Sequence, residues 1–366
     1  MTPRTARTST ATLPEPGAAN EPRRLIDELG QLTIEGRRTG LDVELARSLY
    51  RDMYLGRRFD EQAYHLQRQG ELGLWLMCRG QEAAQVGTMR AIRDSDYVFP
   101  SYREHVAAMV RGLGPRELLS QWRGVSHAGW DPREHRFHIY SLVLGTQTLH
   151  AAGYAMGVRL AGEDDVVVCF VGDGATSQGD VSEAMNWAAT RELPLVFIVQ
   201  NNGWAISTPV SQQYRAPLPG RAAGFGLASY SVDGNDVLAV HQVVSEAVEG
   251  VRAGGPPAFV EAVTYRMAGH STSDDPRRYR EAEEEEQWAA KDPLRRIEAA
   301  LRESGVSEDY FRSLEIEGDS VAAATREACA QLQDPDLLDL FDRVYVDPHP
   351  DLARQREAAA ALRVFP

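Results

Sequence analysis

Two short polar segments follow apolar runs in the middle of the sequence, and their residue types suit a cation and a phosphate. Residues 172–180 (GDGATSQGD) combine small residues, which let a backbone approach a ligand, with Asp173, a hard oxygen ligand. A helix that follows such a turn presents free N–H groups to a phosphate. In residues 200–204 (QNNGW), the Asn202 amide oxygen and a nearby main-chain carbonyl could complete the protein's share of a magnesium shell. Diphosphate oxygens and water would supply the remaining ligands.

The elements around these two segments explain why they should meet. Residues 165–171 and 194–199 are continuous apolar runs, which are typical of parallel strands buried on both faces, and residues 180–191 between them are helix-like. Twenty-six residues separate Gly174 from Asn201, enough for one helix and one strand. Each turn alone is an ordinary turn sequence. Because ligands bind at the carboxyl ends of parallel strands, the pair at this spacing predicts one ligand site.

The wider pattern predicts an α/β fold, a doubly wound and mainly parallel sheet flanked by helices. Residues 124–146 are rich in glycine, histidine and proline, and an irregular segment of this length is usually functional. Residues 1–22 are predicted to form a disordered arm, and residues 23–366 a single α/β domain with a helical C-terminal tail. Further strands are predicted at 230–232 and 258–264, and further helices at 42–59, 81–92, 146–160 and 237–251.

Composition excludes several function classes. The 366-residue chain has a formal net charge of −14, which argues against binding to nucleic acid or to an anionic membrane. Its single lysine, Lys291, leaves Schiff-base chemistry and a Walker A loop almost without candidates, so arginine must do the basic chemistry. Cys78, Cys169 and Cys329 form no CxxC pair and are expected to be buried apolar residues. Without a long apolar run or a secretory signal, we expect a cytoplasmic protein.

The two polar turns and several further motifs resemble those of a known family. GDG followed after about 26 residues by NN is the signature of thiamine-diphosphate enzymes, and over roughly residues 40–350 the chain resembles the alpha subunits of 2-oxoacid dehydrogenase complexes. The similarity is closest to the branched-chain type. The motifs that carry it lie at 99–103 (FPSYR), 145–147 (GTQ), 172–208, 230–236 (YSVDGND), 264–266 (TYR) and 270–275 (HSTSDD).

The resemblance implies a role for each matching residue. It assigns the Mg²⁺ ligands to Asp173, Asn202 and the Trp204 carbonyl, and the terminal phosphate of thiamine diphosphate to Tyr102 and Arg103, where the fork of arginine suits bidentate contact. It makes His270 an active-site residue for substrate binding and for acyl transfer to lipoyl groups. The other implied cofactor contacts are Leu144, which supports the bent cofactor, Gly172, Gly174, Ala175 and Ile206, and the implied K⁺ ligands are Ser141, Thr146 and Gln147.

The sequence also departs from the family. Gln200 stands where the family often has an arginine that contacts the diphosphate, so that contact is neutral or is supplied elsewhere. A divergent stretch, residues 125–132, replaces the glycine-rich loop before the cation site, so no role is transferred to His127, His135 or His138. Ser271 matches a serine that is phosphorylated in mitochondrial relatives, and its use in this chain stays open.

The resemblance implies half of an active site. The carboxylate that activates the cofactor and the pocket for its aminopyrimidine ring would come from a beta subunit in an α2β2 assembly. That assembly would oxidatively decarboxylate a branched-chain 2-oxoacid, such as 3-methyl-2-oxobutanoate, and pass the acyl group to a lipoyl-bearing acyltransferase core. Pyruvate and acetoin remain the alternative substrates. A non-catalytic scaffold and an unrelated nucleotide-binding protein are less consistent with the motifs, because Asp173, Asn202 and His270 are present and GxGxxG is not.

Overall fold

The computed structural model describes residues 21–336 and 338–362, so the predicted arm lies outside the described residues except for Glu21 and Pro22. The strands are β1 (Tyr97–Phe99), β2 (Val167–Gly172), β3 (Leu195–Asn201), β4 (Trp204–Ala205), β5 (Thr208–Pro209), β6 (Ala228–Asp233) and β7 (Ala258–Val263). Five of them form a sheet with the strand order β1-β2-β3-β7-β6, in which every pair of neighbours is parallel. This confirms the predicted α/β class with a mainly parallel sheet. The other two strands, β4 and β5, form a separate hairpin.

Helices cover both faces of the sheet. In β2, Val168 and Phe170 point into one apolar cluster, whereas Val167, Cys169 and Val171 point into the other. This double burial is why the central strands are continuous apolar runs. The helices are α1 (Ile34–Thr39), α2 (Val43–Arg68), α3 (Glu82–Arg90), α4 (His105–Val110), α5 (Pro115–Trp122), α6 (Pro132–His135), α7 (Thr146–Ala161), α8 (Gly179–Thr190), α9 (Leu218–Gly224), α10 (Val237–Arg252), α11 (Ala282–Ala289), α12 (Pro293–Glu303), α13 (Glu308–Gln331), α14 (Asp339–Asp342) and α15 (Pro350–Leu362).

The structure differs from the sequence prediction at two main places. Strand β1 was not predicted, because three residues are too few to show a period before Pro100 ends the strand. Helix α2 continues well beyond residue 59, to Arg68. All three cysteines are buried and free, as expected. Among the described residues, no helix is both long enough and apolar enough to cross a membrane.

Candidate functional site

The two polar turns meet at one edge of the sheet. Strands β2 and β3 are parallel neighbours, with Gly172 opposite Gln200, so Asp173 and Asn202 follow adjacent strand ends. The Asn202 backbone N–H donates to Asp173 Oδ1 at 3.4 Å. Gly203 has φ +87°, a conformation that glycine adopts without strain, and it turns the chain into the β4–β5 hairpin. The predicted adjacency of the two turns at one sheet edge is therefore confirmed.

Asp173 places a buried carboxylate directly after the end of β2. Its side chain is 1% exposed, and it makes no salt bridge with any residue that the structure describes. Its weak contacts are the Asn202 amide and Gln213 Nε2, which lies 3.5 Å from Oδ2. Burial raises the pKa of Asp173 to about 6. A carboxylate held in this way is suited to a cation that would compensate its charge.

Asn202 and Trp204 supply two further oxygens beside Asp173. Asn202 Oδ1 accepts from the Trp204 N–H at 3.3 Å, while its Nδ2 donates to Gln81 Oε1 at 3.3 Å. The Trp204 carbonyl already accepts from Arg266 Nη1 at 3.2 Å. A carbonyl oxygen has two lone pairs, so a metal at this position would share the oxygen with a guanidinium. Nothing in the sequence pattern pointed to this contact.

Two buried arginines, Arg103 and Arg266, form a positively charged wall. Arg103 donates to the carbonyls of Met77 at 2.5 Å and His270 at 2.9 Å. Arg266 donates to the carbonyl of Ile206 at 2.8 Å and makes no salt bridge with a described residue. Burial is the largest cause and repulsion from Arg103 and Arg280 the next, and together they lower the pKa of Arg266 to about 10. Arg266 therefore stays charged at neutral pH. Such a wall is suited to an anion.

His270 lies between these two arginines. Its Nδ1 is 3.4 Å from Arg103 Nη2 and 3.3 Å from Arg266 Nη1. A guanidinium can only donate, so Nδ1 must accept and the ring proton is assigned to Nε2. Burial is the largest cause that lowers the pKa of His270, and repulsion from the charges of Arg103 and Arg266 adds to it, so that the pKa is about 3. His270 is therefore a neutral imidazole with an N–H available at Nε2.

A polar network fixes the loop that carries His270. The Asp274 carboxylate accepts from the His270 backbone N–H at 2.6 Å and from the Tyr279 hydroxyl. Arg266 Nη2 donates to that hydroxyl at 3.1 Å, and Arg280 donates to the Arg266 carbonyl at 2.8 Å. The Arg280 guanidinium also lies over aromatic rings, including Tyr265 at 5.0 Å. The loop is thus held from several sides.

These groups surround a cavity of about 370 Å³, a size typical of small-molecule sites. It is lined by every predicted site residue except Thr146, which lies at the start of α7 beside Gln147. Arg266 belongs to a recognised motif, and Glu104 directly follows Arg103, so both had a signal in the sequence. Gln81 had none. The lining residues without a predicted role are Leu74, Leu76, Gln81, Ser101, Glu104, Leu142, Ala205, Arg266 and Ser271, together with Gln200.

Gln200, which stands where the family often has an arginine, is hydrogen-bonded to Glu104. Gln200 Nε2 donates to Glu104 Oε1 at 2.6 Å, and Glu104 Oε2 accepts from the backbone N–H and hydroxyl of Ser101 at 2.7 and 2.8 Å. Burial raises the pKa of Glu104. Gln200 therefore joins the end of β3 to the 101–104 turn and adds no positive charge to the cavity. Arg266 lies where it can supply that charge.

The residues matched to a potassium site are only partly assembled. Gln147 Oε1 is buried and has no partner among the described residues, while its Nε2 donates to the Phe170 carbonyl at 3.0 Å. The Ser141 hydroxyl donates to the Val143 carbonyl at 3.2 Å. The histidines of the divergent region lie outside the cavity lining: His127 is exposed, His135 approaches the Arg111 carbonyl, and His138 stacks on Phe99 at 4.7 Å.

The cavity mouth is apolar and includes a strained residue. Ile206, in the turn between β4 and β5, has φ +55°, which is unusual for a β-branched residue, and it is 53% exposed. Leu142, Val143 and Leu144 are 51%, 70% and 40% exposed beside it. Consecutive exposed apolar residues at a site mouth are typical of a surface that another molecule covers.

Comparison with known proteins gives a consistent set of relatives. The family model described as "Dehydrogenase E1 component" matches residues 50–335. The "3-methyl-2-oxobutanoate dehydrogenase subunit alpha" of Mycobacterium tuberculosis is 44% identical over 344 residues, which cover 93% of this chain and 94% of that protein. The human "2-oxoisovalerate dehydrogenase subunit alpha, mitochondrial" is 34% identical, covering 92% and 78%. The "Pyruvate dehydrogenase E1 component subunit alpha" of Acholeplasma laidlawii is 34% identical, covering 90% and 97%.

Proposed function

The chain belongs to the dehydrogenase E1 component family, and on that premise we propose that it is the alpha subunit of a branched-chain 2-oxoacid dehydrogenase. The observation that carries the proposal is the 44% identity, over nearly the whole of both chains, to a 3-methyl-2-oxobutanoate dehydrogenase alpha subunit. The alternative substrate, pyruvate, is supported by the relative at 34% identity. We therefore propose that the preferred substrate is a 2-oxoacid with a branched side chain.

The residues that line the cavity fit magnesium and thiamine diphosphate. A diphosphate beside the buried Asp173 carboxylate would be repelled unless a divalent cation lay between them. Asp173, Asn202 and the Trp204 carbonyl offer hard oxygen ligands for that cation, and Arg103 and Arg266 offer positive charge for the phosphates. Gln81 Nε2 is a buried donor without a partner among the described residues, which suits a phosphate oxygen.

The chain's own residues act by positioning and by electrostatics. When bound, thiamine diphosphate supplies the carbon nucleophile and the electron sink for decarboxylation of a 2-oxoacid. Arg103 and Arg266 would neutralise the diphosphate, with Tyr102 beside the terminal phosphate. The apolar side chains of Leu144 and Ile206 would exclude water from the cavity, and Gly172, Gly174 and Ala175 would let the backbone approach the phosphates.

His270 would act as a hydrogen-bond donor to the substrate. Its Nδ1 faces the two arginines, so the Nε2 proton is the one that can contact the oxygens of a 2-oxoacid or, later, a sulfur of a lipoyl group. Because its pKa is lowered to about 3, the donor is a neutral imidazole across the physiological pH range. A fixed neutral donor stabilises negative charge that develops on the substrate oxygen.

The site is proposed to be completed by a beta subunit in an α2β2 assembly, which delivers the acyl group to a lipoyl-bearing acyltransferase core. The names of the relatives as alpha subunits and the exposed apolar residues 142–144 at the mouth support a covering partner. We also propose that K⁺ binds near Gln147 and Ser141, where Gln147 Oε1, which has no partner among the described residues, could coordinate it, with Thr146 next in sequence.

A substrate panel tests this function. The chain is co-expressed and purified with its beta subunit, supplied with Mg²⁺ and thiamine diphosphate, and assayed by reduction of an artificial electron acceptor. We expect 3-methyl-2-oxobutanoate to have a kcat/KM at least about tenfold above that of pyruvate, since one or two methylene groups are worth about 1–3 kcal/mol in an apolar pocket. A preference for pyruvate or acetoin would overturn the substrate assignment, and no turnover of any 2-oxoacid would overturn the proposal itself.

A further inference from the structure

His105 is a fully buried histidine that directly follows the cavity-lining residue Glu104. It is 0% exposed and stacks on Trp75 with ring centroids 4.3 Å apart. Trp122 and Tyr140 approach it edge-on at 5.9 and 5.4 Å. Trp130, which belongs to the divergent stretch of the sequence, packs against Tyr140 at 5.3 Å. A histidine is rarely so deeply buried unless both ring nitrogens have partners.

Both nitrogens of His105 are used, and the partners fix the position of the proton. Nε2 lies 3.0 Å from the Leu76 carbonyl, and Nδ1 lies 2.9 Å from the Tyr140 hydroxyl. A carbonyl can only accept, so Nε2 carries the proton and Nδ1 accepts from the tyrosine O–H. Burial lowers the pKa of His105 to about 3, consistent with this neutral form.

These two hydrogen bonds connect three segments that line the cavity. His105 begins α4, directly after the turn that holds Tyr102, Arg103 and Glu104. Leu76 lines the cavity itself, and the next residue along, Met77, accepts from Arg103. Tyr140 directly precedes Ser141, Leu142 and Leu144, which also line the cavity. His105 therefore connects residues 74–77 and 140–144 to the 101–105 turn, alongside the Arg103 bond to Met77 and a bond from the Ser141 N–H to the Ser101 carbonyl at 2.8 Å.

We propose that His105 is a positioning residue that holds these three walls at the separation required by the diphosphate end of thiamine diphosphate. The inference rests on the function proposed above. The bound ligand must find Arg103 and the 141–144 segment already in place, because ordering them during binding would reduce affinity. Loss of either hydrogen bond leaves a buried polar group unpaired, and a shift of the walls that admits water would relieve this cost.

The test uses variants of the alpha–beta assembly. Tyr140→Phe removes one hydrogen bond and keeps the aromatic ring. His105→Leu removes both bonds, while His105→Gln retains an amide N–H that can reach the Leu76 carbonyl. The matched control is Tyr310→Phe, because the Tyr310 hydroxyl donates to the Arg47 carbonyl at 2.6 Å where α2 and α13 pack, away from the cavity lining.

Two measurements are made on each variant. Calorimetry with thiamine diphosphate and Mg²⁺ is expected to show the Kd for the cofactor raised about tenfold by Tyr140→Phe. The increase in Kd should be larger for His105→Leu, and for His105→Gln it should be smaller than for His105→Leu. Hydrogen–deuterium exchange without cofactor is expected to show faster exchange at residues 74–78 and 138–144. The activity at saturating cofactor is expected to change less than twofold in Tyr140→Phe, which separates positioning from general destabilisation.

The outcomes distinguish this inference from the function on which it rests. If the unmodified assembly fails to bind thiamine diphosphate, the proposed function is overturned. If it binds, but Tyr140→Phe has the affinity and exchange pattern of Tyr310→Phe, only the positioning role of His105 is overturned. Should His105→Leu fail to fold, the Tyr140→Phe and Tyr310→Phe pair still decides the question.

Discussion

Gly174 lies so close to Ala205 that a Cβ atom added to the glycine would be 2.6 Å from the Ala205 Cβ. The turn after β2 is therefore packed directly against the hairpin that follows Asn202. This contact holds the two halves of the proposed metal site together, because Asp173 precedes Gly174 and Trp204 precedes Ala205. Only glycine fits at this position without a shift of the backbone.

Replacing Gly174 with alanine is expected to push the hairpin away from the turn and to misplace the proposed metal ligands. Steady-state assays of the alpha–beta assembly should show kcat/KM reduced about 100-fold, since a displacement of about 1 Å can have that effect. The matched control is Gly250→Ala on α10, where the new methyl group meets open space and activity should be unchanged. Equal activity of the two variants would contradict the close-packing argument.

Replacing Asp173 with asparagine is expected to weaken cofactor binding without lowering the stability of the fold. Calorimetry should show affinity for thiamine diphosphate with Mg²⁺ reduced at least about 100-fold, because removal of one partner of a buried charge pair costs about 3–5 kcal/mol. Without cofactor, the variant should unfold at an equal or higher temperature, because it no longer buries an uncompensated charge. A parallel loss of affinity and thermal stability would point instead to misfolding.

Because the backbone at Ile206 is strained, replacing this residue with glycine is expected to affect thermal stability and cofactor affinity in opposite directions. Ile206→Gly should raise or preserve thermal stability, because a β-branched residue at φ +55° costs about 1–2 kcal/mol. The same change should weaken cofactor binding about tenfold, because the apolar side chain at the cavity is lost. Glu192→Gly relieves a similar conformation, φ +48°, outside the cavity lining and should leave affinity unchanged. Unaltered affinity in Ile206→Gly would remove Ile206 from the site.

Burial of His105 predicts how stability depends on pH. Its folded pKa of about 3 lies below the unfolded value of about 6.5, so the unfolded state binds more protons between these pH values and stability falls as the pH is lowered. Between pH 7.5 and 5.0 the unmodified protein should lose about 2 kcal/mol more than His105→Gln in the free energy of unfolding. Urea unfolding at both pH values measures this, and parallel losses would show that His105 titrates normally in the folded state.

The sequence identified the parts of the site that local rules determine. The adjacency of Asp173 and Asn202 follows from two apolar runs, a helix between them and the geometry of parallel sheets. The short strand β1 could not be recognised, because its pairing with β2 comes from residues about 70 positions later in the chain. A short strand of this kind is defined by its neighbours rather than by its own pattern.

The electrostatics of the site could be predicted only in part. The sequence pointed to Arg103 through its motif, but the approach of Arg266 to the Trp204 carbonyl joins residues 62 positions apart through tertiary packing. The Gln200–Glu104 pair and the His105–Tyr140 bond are long-range contacts of the same kind, spanning 96 and 35 positions. Side-chain partners of this sort are set by the assembled fold, so single-sequence patterns do not contain them.

We propose that this chain supplies one half of an active site, and reconstitution with the beta subunit shows whether both halves are required. The alpha chain, the beta subunit and an equimolar mixture are assayed separately for 3-methyl-2-oxobutanoate decarboxylation with Mg²⁺ and thiamine diphosphate. We expect turnover only in the mixture, and we expect Asp173→Asn to abolish it there. Turnover by the alpha chain alone, or a mixture that is active and indifferent to Asp173→Asn, would contradict this proposal.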